Sequence, residues 1–171
     1  MTNSFVFEAN IALKKIYLSR EFNAPIEKVW KAFTDPELIS KWVAPKPWTI
    51  EKQTRDFRVG GFSKYAMVSP EGQVHWVYDE FTAIENGKVI STMGVFCDGE
   101  GNPNLDGPKS YTETKFTSIE SNRTKIEATY VFDSEDTIKW FVEGGFKEGT
   151  TMTLDQLDEV LASEFKSGVQ R

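Results

Sequence analysis

The chain of 171 residues is 39% hydrophobic and 27% charged, and its formal net charge is −6. This length and composition fit one globular domain, residues 1–171, with a single hydrophobic core. The acidic balance and the absence of clustered Lys and Arg exclude nucleic acid and anionic membrane surfaces as expected partners, because both attract basic patches.

The cysteine count and the hydropathy exclude further classes of protein. Cys97 is the only cysteine, so the chain can form neither an intrachain disulfide nor a thiolate metal cluster. No segment approaches the roughly 20 apolar residues that span a bilayer, and residues 1–10 lack the pattern of a signal peptide. We therefore expect a cytoplasmic protein without membrane insertion, metal or other cofactor.

The first predicted element is a strand within residues 11–22, preceded by a loose arm at residues 1–10. In this strand Ile16, Leu18, Arg20 and Phe22 alternate with Lys15, Tyr17, Ser19 and Glu21. Such alternation is typical of a half-buried strand.

Two short helices are predicted next. Pro25 suits the first turn of a helix whose apolar residues recur at helical spacing as far as Phe33. Asp35 followed by Pro36 repeats the start signal, with Asp as N-cap and Pro as first helical residue. The sequence thus predicts a break at Thr34.

Residues 48–133 have the spacing of turn residues that is typical of a β-meander. Runs rich in Val, Ile, Thr, Phe and Tyr alternate with turn residues, and Asn86-Gly87 predicts a tight two-residue hairpin with positive φ at both positions. The Gly- and Pro-rich stretch Asp98–Lys109 is expected to be a long, mobile loop. Counting the runs predicts seven strands, one before the helical pair and six after it.

The last predicted element is one long helix that begins at the N-cap Ser134. Its first apolar residues, Ile138, Phe141 and Val142, are rotated by roughly 100° from its last ones, Leu154, Leu157, Val160 and Leu161. The drift passes through Gly144, Gly145 and Gly149, each of which costs about 1 kcal/mol relative to Ala in a helix interior. These glycines predict close backbone approach, a bend, or a wall that stays open.

This order of elements predicts an α+β fold in which a bent antiparallel sheet grips one C-terminal helix and leaves a cavity between them. Residues 11–163 form the expected core of the domain, and residues 164–171 are expected to be a loose terminus.

Six short motifs along the chain resemble the Hsp90-ATPase-activator-homologue family of the START/Bet v 1-like superfamily. They are Arg20-Glu-Phe22-Asn-Ala24-Pro25, Val29-Trp30, Thr34-Asp35-Pro36, Trp42-Val-Ala-Pro45-Lys46, Arg58-Val-Gly60-Gly61 and Glu148-Gly149…Leu154…Leu157…Leu161-Ala162. The resemblance spans Lys14 to Ala162 and implies a helix-grip fold: a seven-stranded antiparallel sheet around a long C-terminal helix, two small helices closing one side, and an apolar cavity.

This chain departs from the family pattern at three positions. Val43 stands where the family often has a second aromatic, Ala44 where it has Gly, and Thr150 where it has Trp. These positions are expected at the cavity or its rim, so the ligand class does not carry over from the resemblance.

Candidate catalytic groups are few. His75, the only histidine, precedes Asp79 and Glu80 on a predicted strand, where a general acid or base needs a neighbouring carboxylate inside the cavity. A surface or rim histidine is the favoured interpretation, and a plain strand-end cysteine is favoured for Cys97. No nucleophile elbow, phosphate loop or dinucleotide fingerprint is present, so we assign no catalytic residue.

Aromatic and small residues are the better candidates for a binding site, since rings with polar tips can orient a small molecule. The predicted ligand-binding residues are Trp48, Tyr65, Met67, Trp76, Tyr78, Met93, Phe141, Gly145 and Gly149. Strand alternation places Tyr65 with Met67, Trp76 with Tyr78, and Met93 with Ser91 on faces that we expect to converge on the helix glycines. For any single residue, filling the core remains the slightly favoured alternative.

The other tryptophans have structural interpretations. Trp30 and Trp42 are expected to attach the small helices to the sheet. Trp140 lies opposite the apolar face of the C-terminal helix, so we expect it to be partly exposed or to contact a loop.

Three functions remain as hypotheses. The leading one is a non-enzymatic protein that binds a small apolar or aromatic, lipid- or polyketide-like molecule. The second is a cyclase, aromatase or hydrolase, which needs a titratable group inside the pocket from among His75, Asp79, Glu80 and Glu113. The third, implied only by the resemblance, is a module that stimulates a chaperone ATPase. A homodimer is also left open.

Overall fold

The computed structural model describes the backbone of residues 4–169 and the side chains of residues 4–164. These residues form an α+β fold with eight strands and four helices. The elements are β1 Phe5–Asn10, β2 Lys15–Phe22, α1 Ile26–Thr34, α2 Pro36–Ile39, β3 Thr49–Arg55, β4 Phe62–Val68, β5 Val74–Glu85, β6 Val89–Val95, β7 Lys109–Glu120, β8 Arg123–Phe132, α3 Glu135–Glu143 and α4 Phe146–Val169. All strands belong to one antiparallel sheet with the spatial order β1-β2-β8-β7-β6-β5-β4-β3.

The predicted antiparallel sheet and C-terminal helix are confirmed, but the sheet has one strand more than expected. Residues 5–10, predicted as part of a loose arm, pair with β2 from Phe5↔Arg20 to Asn10↔Lys15. The ring of Phe7 lies 6.2 Å from that of Phe146 on α4, so the added strand packs onto the core. Residues 1–3 of the predicted arm lie outside the described residues.

The two short helices are confirmed. Asp35 caps α2 by accepting a hydrogen bond from the backbone N–H of Glu37 at 2.9 Å. The indole of Trp42 donates to the carbonyl of Ala32 at 2.9 Å, and the ring of Trp30 lies 5.0 Å from that of Phe116 on β7. Trp30 therefore attaches α1 to the sheet, as predicted, whereas the hydrogen bond of Trp42 joins the segment after α2 to α1.

The C-terminal segment is two helices rather than one. Ser134 caps α3 as predicted, accepting from the backbone N–H of Thr137 at 3.1 Å. Gly144 ends α3, and Gly145 has φ +91°, a conformation that interrupts a helix and that residues with a side chain rarely adopt. This break explains why the apolar residues on either side do not form one straight stripe.

Helix α4 is also longer than expected. It continues to Val169, so residues 164–169 are helical instead of a loose terminus, and residues 170–171 lie outside the described residues. Its buried Leu154, Leu157 and Leu161 belong to the main core, together with residues of the sheet and α1. The helix is thereby held against the sheet.

Two connections differ in detail from the prediction. The β5–β6 hairpin has a three-residue loop, because Glu85↔Val89 is its last pair, and there Gly87 has a positive φ while Asn86 does not. The loop Asp98–Lys109 has internal order: a carboxylate oxygen of Asp98 accepts from the backbone N–H groups of Glu100 and Asn102, both at 2.9 Å. The mobility predicted for this loop stays a prediction.

Candidate functional site

A cavity of about 430 Å³ lies between the sheet and the helices α3 and α4. Strands β4 to β8 and β2 form one wall, and Phe141, Phe146, Gly149 and Thr153 form the opposite one. The segment after α2 closes the space with Trp42, Val43 and Pro45. The wall is mostly apolar, but it also contains threonines, three tyrosines, one carboxyl, Ser110, His75 and Lys109.

The predicted site residues divide into two groups. Six of them border the cavity: Tyr65, Met67, Trp76, Tyr78, Phe141 and Gly149. The other three, Trp48, Met93 and Gly145, lie outside its wall. Of the positions where the chain departs from the family pattern, Val43 and Thr150 border the cavity, whereas Ala44 is buried beside it.

The sequence predicts that Trp76 and Tyr78 on β5 and Met93 on β6 face the helix glycines. This prediction is wrong. Residues that pair directly across an antiparallel sheet share a face, and Tyr65 pairs with Val77. The cavity face of β5 therefore carries Val77 and Asp79, while the rings of Trp76 and Tyr78 lie on the convex face. There the ring of Tyr78 stacks on Phe62, with centroids 5.8 Å apart.

The ring of Trp76 and the side chain of Met93 also lie on the convex face of the sheet. The ammonium of Lys64 lies 5.1 Å from the centre of the Trp76 ring, whose indole N–H donates to the carbonyl of Gly99. Met93 pairs with Glu80 on this same face. Trp76 and Tyr78 thus contribute the backbone of β5 to the cavity wall rather than their rings.

Asp79 is the carboxyl that the sheet directs into the cavity. Across four strands it lies in the row Ser63↔Asp79↔Gly94↔Ser110. A Cβ atom at Gly94 would lie 2.8 Å from a carboxylate oxygen of Asp79 and 2.9 Å from the hydroxyl of Ser110. The glycine at position 94 therefore provides the space that the carboxylate occupies.

The carboxylate of Asp79 has no hydrogen bond or ion pair to any of the described residues. It is surrounded by protein, and the accessible surface that it keeps belongs to the cavity. Burial raises the pKa of Asp79 to about 6, although the positive charge of Arg55 acts in the opposite direction. Burial and the nearby Asp79 also raise the pKa of Tyr130, to about 12, and that of Tyr65 in the same direction.

Arg55 lies behind the cavity wall, with its hydrogen bonds directed elsewhere. One guanidinium nitrogen donates to the hydroxyl of Ser63 at 3.1 Å and another to the carbonyl of Phe33 at 3.0 Å. The guanidinium also lies 5.1 Å from the centre of the Phe81 ring. The positive charge of Arg55 therefore acts on Asp79 from a distance longer than that of an ion pair.

The other predicted candidates for acid–base chemistry do not reach the interior. His75 is exposed at the cavity rim, whereas Glu80 and Glu113 are on the convex face, where Glu113 lies 3.6 Å from the ammonium of Lys115. Burial raises the pKa of the Cys97 thiol, which opposes thiolate formation.

The described residues contain neither a metal-ligand cluster nor a membrane-spanning helix. No group of three or more His, Cys, Asp or Glu side chains in that part of the chain is arranged to hold a metal ion. In the same part, no helix is both long enough and apolar enough to cross a bilayer.

Gln156 on α4 is a residue that sequence reasoning missed. Its side-chain amide donates to the carbonyls of Trp42 and Ala44, both at 2.9 Å, and accepts from the backbone N–H of Lys46 at 2.9 Å. These three bonds hold the segment that closes the cavity. The available signal was a polar residue next to Leu157 on an otherwise apolar helix face.

Tyr130, Ser110 and Thr112 were missed as well. Each borders the cavity from an inward position of β7 or β8. Alternation along these strands separates the two faces, but it does not say which face is concave.

Comparisons with known proteins agree with this fold. The family model described as "Activator of Hsp90 ATPase homolog 1-like protein" matches residues 23–162. No curated protein sequence matches the chain.

Among solved structures, a protein from Arthrobacter aurescens is 28% identical, with a TM-score of 0.83 and coverage of 92% of this chain and 91% of that one. A protein from Nitrosomonas europaea is 28% identical, with a TM-score of 0.78 and coverage of 91% and 98%. A protein from Mycobacterium smegmatis, at 23% identity, shares the fold with a TM-score of 0.84 and coverage of 95% and 99%.

Proposed function

Because the chain belongs to the family of Activator of Hsp90 ATPase homolog 1-like proteins, we propose that it is a binding protein whose cavity takes a small, largely apolar or aromatic, lipid- or polyketide-like molecule. The fold is of the Bet v 1/START type, which commonly binds ligands. The observation that carries the proposal is the cavity of about 430 Å³. Known small-molecule sites occupy roughly 300–1,000 Å³ and combine apolar walls with a few polar groups.

The composition of the wall supports an apolar or aromatic ligand. Phe132, Phe141 and Phe146 line it on the side of the helix break, and Met67 lines it from the sheet. Burying apolar ligand surface against such side chains gains about 25 cal/mol per Å². The proposed ligand contacts from the sequence prediction are therefore Tyr65, Met67, Phe141 and Gly149.

Gly149 offers a direct test of this site. It borders the cavity, and a Cβ atom built there meets no atom within 4 Å, so a larger side chain projects into open space. Gly149→Leu should lower the affinity for the neutral fluorescent probe N-phenyl-1-naphthylamine at least tenfold. The fold should survive, because Leu is favoured over Gly in a helix interior by about 1 kcal/mol.

The matched control is Met152→Leu on the same helix, at an exposed position outside the wall. Fluorescence titration gives the affinities and thermal unfolding gives the stabilities. Equal probe binding by the Gly149→Leu variant and the wild type, or no binding by the wild type, would contradict the proposal. Gly145 is unsuitable for this test, since its φ of +91° strains any side chain.

An enzyme acting on a small aromatic or polyketide-like substrate is the second candidate function, and Asp79 is the observation that favours it. A carboxyl with a pKa of about 6 inside a cavity has the properties of a general acid or base. Turnover of a cyclase, aromatase or hydrolase substrate should then disappear in Asp79→Asn while probe binding remains. Turnover that is unchanged by this substitution would reject the role.

The remaining expectations from the sequence stay predictions. These are the cytoplasmic location, the homodimer and the chaperone partner. A pull-down with the chaperone and a sedimentation experiment on the purified protein test the last two.

A further inference from the structure

We propose that the cavity selects apolar molecules that carry a hydrogen-bond donor, an ammonium group above all, and that Asp79 receives this donor. The inference rests on the binding function proposed above and deepens it by naming the polar group of the ligand. It concerns a charge preference, which neither the fold nor the family model specifies.

The first step is the orientation of the carboxylate. Gly94 leaves room for it on the concave face, where even one additional methyl group would lie 2.8 Å from a carboxylate oxygen. The neighbouring residues of the row, Ser63 and Ser110, make no hydrogen bond to it among the described residues. Ser63 instead accepts from Arg55 at 3.1 Å. The acceptor oxygens of Asp79 are thus available to a molecule inside the cavity.

The second step is the charge that surrounds Asp79. Arg55 on β3 is not part of the cavity wall, and two of its nitrogens donate to Ser63 and Phe33. Lys109 at the start of β7 borders the cavity, but its ammonium donates to the carbonyls of Leu105 at 2.6 Å and Gly107 at 3.3 Å. No described cation therefore lies within ion-pair distance of the Asp79 carboxylate.

The remaining titratable groups around Asp79 do not compensate its charge. Tyr65 on β4 and Tyr130 on β8 are neutral phenols, and His75 on β5 is exposed at the rim. The cavity residues of α3 and α4 are uncharged: Thr137, Phe141, Phe146, Gly149, Thr150, Thr153 and Leu154. Asp79 is thus the one carboxyl of the cavity wall, and the ammonium of Lys109, the one lysine there, is bonded to backbone carbonyls.

The third step is the chemistry that such a wall recognises. An enclosed carboxylate without a partner is costly, and a charge-assisted hydrogen bond from an ammonium group removes that cost. Tyr65 and Tyr130 also line the cavity, and aromatic rings attract a cation placed over them. A carboxylate ligand instead places two like charges in a medium of low dielectric constant, so fatty acids and other organic acids are disfavoured.

The experiment uses three molecules with one naphthalene skeleton and different polar groups: 2-(aminomethyl)naphthalene, 2-naphthol and 2-naphthoate. Calorimetric titration of the intact protein at pH 7.5 should give the tightest binding for the amine, at least tenfold weaker binding for the naphthol, and no measurable binding for the carboxylate. Lowering the pH to 5 should weaken amine binding, because Asp79 then becomes protonated.

Three variants separate the carboxylate from its surroundings. Asp79→Asn should lose at least tenfold in amine affinity, keep naphthol affinity within threefold, and abolish the pH dependence. Gly94→Ala should weaken amine binding without removing a charge, since its Cβ displaces the carboxylate. The matched control is Glu80→Gln, the neighbouring carboxyl on the convex face, which should change neither affinity.

The outcomes distinguish the two proposals. If the wild type binds N-phenyl-1-naphthylamine but binds the three naphthalenes equally, or if Asp79→Asn keeps the preference for the amine, the charge preference is rejected and the binding function stands. If neither the neutral probe nor any naphthalene binds, both proposals are rejected. Amine binding that depends on Asp79 supports the inference whatever the neutral probe does.

Discussion

Gln156 and Asp79 are both polar side chains enclosed by the fold, but their surroundings differ completely. Gln156 makes three hydrogen bonds to backbone groups of residues 42–46. Asp79 makes none to the described residues, and its oxygens face the cavity. Because enclosed polar groups are almost always paired in folded proteins, the first residue has a structural role and the second has room for a ligand.

The largest expected effect on stability is that of replacing Gln156, the side chain whose hydrogen bonds are made within the protein. Gln156→Leu leaves the carbonyls of Trp42 and Ala44 and the N–H of Lys46 without their partner. Unpaired buried groups cost about 1–3 kcal/mol each, so we expect the free energy of unfolding to fall by about 3 kcal/mol. Urea denaturation measures this loss.

Glu159→Gln, at an exposed position on the same helix, serves as the control and should change the unfolding free energy by less than about 0.5 kcal/mol. The Gln156 variant should also bind N-phenyl-1-naphthylamine more weakly, since the segment that closes the cavity loses its support. An unfolding free energy equal to that of the control would show that the hydrogen bonds of Gln156 do not stabilise the segment of residues 42–46.

The next effect is the pH dependence from Asp79. Its pKa is about 6 in the folded protein, above the ordinary value near 3.9, so the folded state binds the proton more tightly than the unfolded state. Stability contributed by this group is therefore highest at low pH and decreases as the pH rises from about 4 to about 6. Asp79→Asn should be more stable than the wild type by about 2–3 kcal/mol at pH 7.5 and nearly equal to it at pH 4.

Denaturation of both proteins across this range isolates Asp79, because all other carboxyl groups titrate in both. A constant difference in stability between pH 4 and pH 7.5 would mean that Asp79 is not held in a desolvated environment. The sign of the effect is the sharper criterion, since removal of a paired carboxylate would destabilise the protein instead.

The smallest effect compares two tyrosines. The hydroxyl of Tyr17 donates to the carboxylate of Glu127 at 2.7 Å, whereas that of Tyr130 borders the cavity and has no hydrogen bond to a described residue. Tyr17→Phe should cost about 1 kcal/mol of unfolding free energy, and Tyr130→Phe less than about 0.5 kcal/mol. Thermal unfolding of the two variants tests the order, and a larger loss for Tyr130→Phe would contradict it.

Local signals in the sequence predicted the parts of the fold that depend on neighbouring residues. Asp35 and Ser134 cap helices where the sequence places them, because an N-cap needs only its own side chain and the next turn of backbone. The strand at residues 5–10 was missed because a six-residue segment becomes a strand here through pairing with β2. Its stability comes from a partner outside the segment.

The candidate site was likewise predicted in part from the sequence and missed in part. Tyr65, Met67, Phe141 and Gly149 were predicted to face the ligand and do border the cavity, while Met93 and the rings of Trp76 and Tyr78 are on the other side of the sheet. Alternation along a strand has a period of two, so an error of one residue in register exchanges the two faces entirely.

The amino-acid sequence by itself determined the class of fold, the helix starts at Asp35 and Ser134, and the glycines that disturb the C-terminal segment, because these depend on short-range backbone preferences and on the pattern of apolar residues. Only the tertiary structure decided that Asp79 has no hydrogen-bond partner among the described residues while Gln156 has three. Hydrogen bonds between residues more than a hundred positions apart, such as that from Gln156 to Trp42, follow from how the elements pack together.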